Sequence, residues 1–363
     1  MLNRRAMLSG IGVAGVALAL RPRASLAAAP STVKTPVTVQ RFKPREAIMI
    51  ARREFVIGAA AAGVLMKPRL GYAKASQPTT NVNFDVPAGA CDCHTHIHGD
   101  PAKFPWFAGR TYTPEMAVPE EMTALHKALK IQRVVIVTPS VYGADNSATI
   151  YGMAARGNDA RGVAVIDDKT ADAELDRLAA LGFKGIRLNL STAGINDPKV
   201  ATERFLAAAA RVKSRGWHIQ LNTTLPVVAA MKDALAASQV TLVFDHYGNA
   251  KEELGLEQHG FSDLVSLVKS GKAYVKISIS GGPRENYGYF TPLAQTLISA
   301  NVDRILWGTN WPHPNAVNGS TTKVTPLWQV DDGLVLNLLP TWAPDPAIRK
   351  RILVDNPARL YQF

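Results

Sequence analysis

The chain has 363 residues, of which 47% are hydrophobic and 19% are charged, and its formal net charge at pH 7 is +12. Residues 1–75 contain 13 Lys and Arg side chains and two Glu, so the basic excess belongs to this segment and the rest of the chain is nearly neutral. This distribution excludes the basic surface that a nucleic-acid partner requires. The two cysteines are one residue apart, which excludes a disulfide framework.

Two similar leader-like segments occupy the N-terminal part of the chain. Residues 4–20 and residues 52–66 each begin with two arginines and continue as an apolar run. An arginine pair before a short apolar run resembles a twin-arginine export signal. Both runs are shorter than the ~20 residues that a membrane-spanning helix needs, so we expect no stable membrane anchor.

The second leader ends in Ala73-Lys74-Ala75, a small-residue sequence typical of a signal cleavage site. Two leaders in tandem have two explanations. Either the start codon is assigned too early and translation begins at Met49, or the tandem signal is genuine. Both explanations predict a leader at residues 1–75, the twin-arginine export machinery as a partner and a periplasmic or exported protein. The folded part is then a single domain at residues 76–363.

Within that domain, short apolar runs rich in β-branched residues alternate with longer amphipathic segments. This alternation is typical of repeated βα units and a parallel sheet. Segments such as 171–181, 201–214 and 225–237 have apolar residues at helical spacing. The eight predicted strands are 89–96, 133–139, 162–166, 185–190, 218–222, 241–246, 273–280 and 304–309.

Eight such units predict an α/β domain of the (β/α)₈ TIM-barrel type. The alternative is an open doubly wound sheet, which rarely has eight units with polar residues at nearly every strand end. Residues 99–123, rich in Pro and aromatic side chains, are predicted to form a long first βα loop over the mouth of the barrel. Residues 315–346 are predicted to form a similar loop after strand eight.

The predicted first strand ends with two histidines, His94 and His96. Residues two apart on an extended strand project from the same face, so both side chains should point into the mouth of the barrel. In a TIM barrel the active site lies at the C-terminal ends of the strands. The pair suits either a metal site or two donors directed at one carbonyl oxygen.

Other strands also end in polar residues. Arg187 ends the fourth strand, where no acidic neighbour is evident, so a bound carboxylate is a candidate partner, with a structural ion pair as the alternative. Asn222 lies nearest the mouth on the fifth strand, and the sixth stops abruptly at His246. A Gly- and Pro-containing loop after the seventh could bring Arg284 over the pocket.

Three motifs together resemble the amidohydrolase-related family, in the branch that includes 2-pyrone-4,6-dicarboxylate lactonase, galactarolactone isomerase and sulfomuconolactone hydrolase. They are Asp-Cys-His-Thr-His at 92–96, Phe-Asp-His-Tyr-Gly at 244–248 and Trp-Gly-Thr-Asn-Trp-Pro-His-Pro at 307–314. The resemblance implies an amidohydrolase-like barrel. It implies catalytic positions at His94, His96, His246 and Asn310, and it makes Arg187 and Arg284 correspond to arginines that hold substrate carboxylates. Asn222, Tyr247 and His313 are further candidate substrate-binding residues.

Two departures from the family pattern bear on the metal. Where metal-dependent relatives have a strand-five histidine and a strand-eight aspartate, this chain has Asn222 and Asn310, and neutral amides are poor ligands for Zn²⁺. No lysine stands at the strand-four position. We therefore expect no obligatory metal. If Zn²⁺ binds, its ligands are expected to be His94, His96 and His246.

The same resemblance implies an enzyme that acts on a small anionic lactone, whose carbonyl would be polarised by the three histidines. Asn310 cannot accept a proton, so hydrolysis requires another base, either a neutral histidine, His313 or the substrate carboxylate. The leading hypothesis is a hydrolase of a carboxylated lactone. The alternatives are a sugar-acid lactone isomerase, a Zn²⁺-dependent hydrolase or decarboxylase, and a non-catalytic lactone- or sugar-acid-binding protein.

Overall fold

The computed structural model describes residues 75–363, so the predicted leader lies outside the described residues apart from Ala75. Eight parallel strands follow one another around a sheet in chain order, which confirms the predicted (β/α)₈ barrel. Most of these strands are shorter than the sequence predicts. They are β1 (Cys91–Thr95), β2 (Arg133–Val137), β3 (Ala160–Ala164), β4 (Phe183–Asn189), β5 (His218–Asn222), β6 (Leu242–Phe244), β7 (Ala273–Lys276) and β8 (Ile305–Leu306).

One principal helix follows each of the first seven strands, and four short helices follow β8. The principal helices are α1 (Pro119–Leu129), α2 (Ser147–Arg156), α3 (Asp172–Ala180), α4 (Pro198–Val212), α5 (Leu225–Ala236), α6 (Phe261–Lys269) and α7 (Phe290–Ala300). The short helices are α8 (Asp332–Leu336), α9 (Leu339–Trp342), α10 (Pro346–Lys350) and α11 (Asn356–Tyr361). Short 3₁₀ segments are Ser140–Tyr142, Gly157–Asp159, Lys213–Arg215, Glu252–Glu257, Tyr287–Tyr289 and Val302–Arg304.

Local sequence explains where α4 begins. The Asp197 carboxylate accepts hydrogen bonds from the backbone N–H groups of Lys199 and Val200, which have no partner inside the helix. Pro198 occupies the first helical position, where its missing N–H costs nothing. The helix therefore begins at Pro198, three residues before the predicted start of the amphipathic segment.

Alternation along the strands divides the core into two parts. Outward-facing residues such as Ile136, Ile186 and Leu242 pack with the helices in the larger cluster. Inward-facing residues, among them Cys93, Val163 and Tyr274, fill the barrel interior, with Tyr361 of α11 packed against them. The barrel is thus a packed core. Most of its polar side chains lie toward the C-terminal ends of the strands, whereas His218 is buried at the other end beside Tyr361.

The barrel closes between β1 and the segment after β8. The Cys93 N–H donates to the Trp307 carbonyl (2.9 Å), the Asn310 N–H to the His94 carbonyl (2.8 Å), and the His96 N–H to the Trp311 carbonyl (2.9 Å). These three bonds hold the His94 and His96 segment beside Asn310.

The two predicted long loops pair with each other. Thr113–Pro114 and Val324–Thr325 form a parallel two-stranded ladder, and the Arg110 guanidinium donates to the Thr321 carbonyl at 2.6 Å. The predicted loop boundaries are partly wrong, because α1 already begins at Pro119, and α8 and α9 lie inside the second loop. None of the helices in residues 75–363 is long and apolar enough to cross a membrane.

Candidate active site

A layer of polar side chains lies next to the apolar interior, one or two residues further along the strands. It comprises His94, Arg187, Gln220, Asp245 and Lys276, and all five residues are buried. Burying a charged group is costly unless it is paired, so the contacts within this layer determine what it can do.

The His94 and His96 side chains meet, as the sequence predicts, with their Nε2 atoms 3.3 Å apart. The Nδ1 atom of His96 lies 2.7 Å from the carbonyl oxygen of Val137. Because a carbonyl oxygen only accepts, this Nδ1 must carry the proton, and the Nε2 of neutral His96 is left with a lone pair. Nε2 of His96 is therefore an acceptor, contrary to the predicted donor role; it faces Nε2 of His94, and the His96 side chain also lines the cavity described below.

Burial keeps the histidines of this site neutral. It is the main cause that holds the pKa of His94 and of His96 well below the usual value. It also lowers the pKa of His246 to about 4, although Asp245 alone would raise it. The His246 Nδ1 atom lies 2.8 Å from the Ser278 hydroxyl, which can donate to it or accept from it. At neutral pH the site thus offers uncharged imidazoles.

Asp245 is the anionic centre of the layer. One of its oxygens lies 2.9 Å from the Nε of Arg187, and the other lies 3.1 Å from Nδ1 of His94 and 3.6 Å from Nζ of Lys276. Burial alone would raise the pKa of Asp245, but these three neighbours hold it well below the usual range. Arg187 therefore has an acidic neighbour that is not evident from the sequence, and the ion pair that was the alternative to a bound carboxylate is present.

Lys276 is a central residue of this layer and is not among the site residues predicted from the sequence. Its Nζ donates to the Gln220 side-chain oxygen at 2.6 Å and lies 3.2 Å from Nδ1 of His94. Burial lowers the pKa of Lys276 to about 8, even though Asp245 favours the charged form. The sequence signal that could identify Lys276 is its position, because it ends a strand, Ala-Tyr-Val-Lys, whose other residues are apolar.

A cavity of about 410 Å³ opens above this layer. His96, Arg187, Asn222, His246 and Asn310 all contribute to its wall, as the sequence predicts, whereas His94 lies beneath them and is fully buried. The Asn222 side chain is held between Thr192 and Asn249, at 2.9 Å from each.

The backbone around this cavity is strained. His246, Tyr247, Asn249, Asn310 and His313 all have positive φ angles, between 49° and 67°. Residues with a Cβ rarely adopt this left-handed conformation, although Asn and His tolerate it better than most. Such strain is concentrated at functional sites, and here it marks the ends of β6 and β8.

Three predicted substrate-binding residues, Arg284, Tyr247 and His313, lie outside the wall of the 410 Å³ cavity. The Arg284 guanidinium contacts Glu252 and donates to the carbonyls of Gly282 and Ser280, in a neighbouring cavity of about 510 Å³. The Tyr247 ring packs on Phe290 and Trp342.

His313 is buried behind Asn310, and its Nε2 lies 3.0 Å from an Asp332 oxygen. It contributes nothing to the wall of the 410 Å³ cavity. Burial raises the pKa of Asp332, and His313 opposes that shift.

The sequence pattern of the amidohydrolase family matches residues 91–363, which span the whole barrel. The chain belongs to the amidohydrolase family.

Curated relatives of this amidohydrolase act on lactones, according to their names. It is 31% identical over 303 residues to 2-pyrone-4,6-dicarboxylate hydrolase of Comamonas testosteroni, covering 80% of this chain and 94% of the relative. It is 32% identical over 286 residues to 4-sulfomuconolactone hydrolase of Rhizobium radiobacter, with coverages of 77% and 92%. It is 28% identical over 290 residues to D-galactarolactone isomerase of Agrobacterium fabrum, with coverages of 78% and 94%.

Amidohydrolases often hold a metal, and this chain brings several side chains that could bind one close together. His94, Asp245 and His246 bring ligand atoms within 4.8 Å of one another, and His96 lies beside them. However, both oxygens of the carboxylate already face cations, those of Arg187 and Lys276. A divalent ion would add two positive charges to a buried cluster that already has more cations than anions. These residues therefore fit a tightly held divalent metal poorly.

Proposed function

We propose that this amidohydrolase hydrolyses a small carboxylated lactone without an obligatory metal. The observation that carries the proposal is the pairing, in one cavity wall, of an arginine with neutral imidazoles. Its family membership and its lactone-hydrolysing relatives support the same reaction class.

Arg187 is the proposed carboxylate-binding residue. Asp245 binds its Nε and so fixes the plane of the guanidinium, while the two terminal amino groups have no hydrogen-bond partner among the described residues. A guanidinium with two parallel N–H groups free matches a carboxylate in two-point geometry. The substrate carboxylate would therefore lie against Arg187.

His246 is the proposed donor to the lactone carbonyl. When the Ser278 hydroxyl donates to Nδ1 of His246, the ring proton is on Nε2 and can bind the oxyanion that forms during attack. The low pKa of His246 keeps it uncharged, so the donor is a neutral imidazole.

His96 is the proposed general base, in the role that Asn310 cannot fill. Its Nε2 lone pair would take a proton from a water molecule as the water oxygen attacks the lactone carbonyl carbon. When the tetrahedral intermediate collapses, the ring C–O bond breaks and the same proton returns to the leaving oxygen. The product is the open-chain hydroxy acid, or its keto form when the leaving oxygen is enolic.

Isomerisation is the second candidate reaction. Asn310 offers a neutral amide in the cavity wall, which can orient a substrate hydroxyl but cannot accept its proton. If that hydroxyl attacked in place of water, with His96 as base, the product would be an isomeric lactone. The likeness to D-galactarolactone isomerase supports this alternative.

The test is turnover in ¹⁸O-labelled water, followed by NMR and mass spectrometry. The substrates are 2-pyrone-4,6-dicarboxylate and D-galactarolactone, and the enzyme is pretreated with a chelator. Hydrolysis gives an open acid that contains one ¹⁸O atom, whereas isomerisation gives an unlabelled lactone. Activity that appears only after Zn²⁺ is added would contradict the metal-free mechanism. Binding without any turnover would favour the non-catalytic alternative.

A further inference from the structure

A second cavity, of about 350 Å³, adjoins the active-site cavity. The two cavities share four residues of their walls, Thr111, Ser140, Arg187 and Thr192. Because the Arg187 side chain borders both cavities, a ligand whose carboxylate binds this guanidinium can extend into either of them.

Apolar side chains line much of the second cavity. Phe107, Val165, Ile166, Leu188 and Leu190 contribute to its wall. The Phe107 side chain is 49% exposed, and Val165, Ile166 and Leu188 are only partly buried. An apolar patch beside a polar site marks a place where a ligand can bury apolar surface.

The charged side chains of the wall leave the apolar patch accessible to a ligand. Arg110 is occupied by Thr113 and by the backbone carbonyls of Phe107 and Thr321. Asp167 and Arg204 are exposed and contribute one charge of each sign. Apart from the shared Arg187, the wall therefore has a net charge of +1, which belongs to Arg110 and is bound by neutral oxygen atoms.

The position of Phe107 is built into the fold. Its N–H donates to the Val141 carbonyl at 2.8 Å, and its ring lies against two glycines. A Cβ added at Gly143 would come within 3.0 Å of the ring, and one at Gly109 within 2.6 Å. Two glycines therefore make room for an aromatic ring whose other side remains accessible.

We propose that the second cavity is a substrate subsite for an aryl substituent carried by the carboxylated lactone. The aryl group lies against the exposed Phe107 ring and the apolar edge formed by Ile166 and Leu188. Aromatic rings in contact gain free energy beyond the area that they bury. The inference rests on the proposed function for the role of Arg187, and it distinguishes this substrate from a small lactone that is polar on every side.

The experiment compares carboxylates with and without a phenyl group in ligand-observed NMR titrations of the full chain. The matched pairs are acetate with phenylacetate, propionate with 3-phenylpropionate, and butyrate with 4-phenylbutyrate. In at least one pair the phenyl compound should bind about tenfold more tightly, as expected for burial of one ring. No phenyl advantage in any pair would overturn the proposal.

Two variants locate the phenyl group. Phe107→Ala and Leu188→Ala should each bring the affinity ratio of the best pair close to one, with the fold checked by circular dichroism. The matched control is Leu206→Ala, which truncates an exposed leucine on α4 outside both cavities and should keep the ratio. If the ratio survives both test variants, the phenyl group binds elsewhere and the proposal is wrong.

Other occupants of the cavity are separate outcomes. Self-association by light scattering that Phe107→Ala abolishes would identify the patch as an interface between copies and overturn the subsite. A phenyl advantage in an enzyme that turns over no lactone would support the subsite while contradicting the proposed function. Turnover of lactones without a phenyl advantage would support the proposed function and overturn the subsite.

Discussion

At the scale of single residues, the site depends on which ring nitrogen carries a proton. The Val137 carbonyl makes Nε2 of His96 an acceptor, and the Ser278 hydroxyl leaves His246 able to donate. Two identical side chains therefore have different roles, which spacing along the chain cannot show. Asp245 adds a second constraint, because it fixes Arg187 from the side opposite the cavity.

His96→Ala should lower kcat at least 100-fold, because general-base catalysis typically contributes that much. The pKa of His96 lies well below the usual value, so the base stays unprotonated as the pH falls from 8 to 6. Between pH 7 and pH 6, a range that lies below the Lys276 pKa of about 8, the wild-type rate should therefore be flat. Measured pH–rate profiles check both expectations. His259→Ala, which changes an exposed histidine, is the control and should behave like wild type.

Arg187→Lys should raise KM about tenfold or more for a carboxylated lactone, through loss of a charge-assisted bond worth ~1.5–3 kcal/mol. Lysine keeps a positive charge near Asp245 but lacks the forked geometry, so the fold should be retained. Steady-state kinetics with a neutral lactone provide the control. An equal rise in KM for the neutral compound would show that Arg187 does not bind the carboxylate.

At the scale of elements, most of the barrel could be predicted from the sequence, because buried parallel strands and amphipathic helices have different periodicities. The predicted fifth strand, 218–222, coincides with β5, and 171–181 contains α3. The pairing of the two long loops could not be predicted, since it depends on contacts such as Arg110 with Thr321 that carry no local signal. The roles of Lys276 and Asp245 could not be predicted either, because their hydrogen-bond and ion-pair partners come from other strands.

The N-terminal segment of the domain and helix α8 are joined through Asp331. Its carboxylate accepts hydrogen bonds from the backbone and hydroxyl groups of Thr79 and Thr80, and it caps α8 through the N–H groups of Gly333 and Leu334. A Cβ at Gly333 would collide with the Thr80 carbonyl. Asp331 is therefore the main side-chain link between these two elements.

Asp331→Ala should lower the free energy of unfolding by about 1–3 kcal/mol at neutral pH, from loss of the cap and of the threonine bonds. Those bonds lower the pKa of Asp331 to about 2, against the effect of burial. A lowered carboxylate pKa stabilises the fold above the ordinary value near 3.8, and this contribution is lost as the pH falls toward 2.

Urea unfolding of wild type and of Asp331→Ala from pH 6 to pH 2.5 measures this dependence. The difference between the two proteins should shrink as the pH falls. Asp345→Ala removes the cap of α10 without touching the N-terminal segment, and it is the matched control. A difference that stays constant with pH would mean that the carboxylate is not the group responsible.

At the scale of the whole molecule, the described part begins with a segment that is packed onto the barrel. Ala75 and Ser76 are buried, and the Ser76 carbonyl accepts a hydrogen bond from the Trp311 indole at 3.1 Å. Trp311 follows Asn310 directly, so the first described residues lie next to the segment after β8, which forms part of the cavity wall. The first described residues are therefore part of the packed domain, and we propose that the leader ends just before them.

The leader itself can be tested by replacing each arginine pair with lysines in the full-length gene and separating cell fractions. We propose that translation begins at Met49, in which case lysines at positions 52 and 53 should block export while lysines at positions 4 and 5 have no effect. Mass spectrometry of the exported protein should find Ser76 as its first residue. Export that depends on both pairs would instead establish a genuine tandem signal, and export that depends on neither would exclude the twin-arginine route.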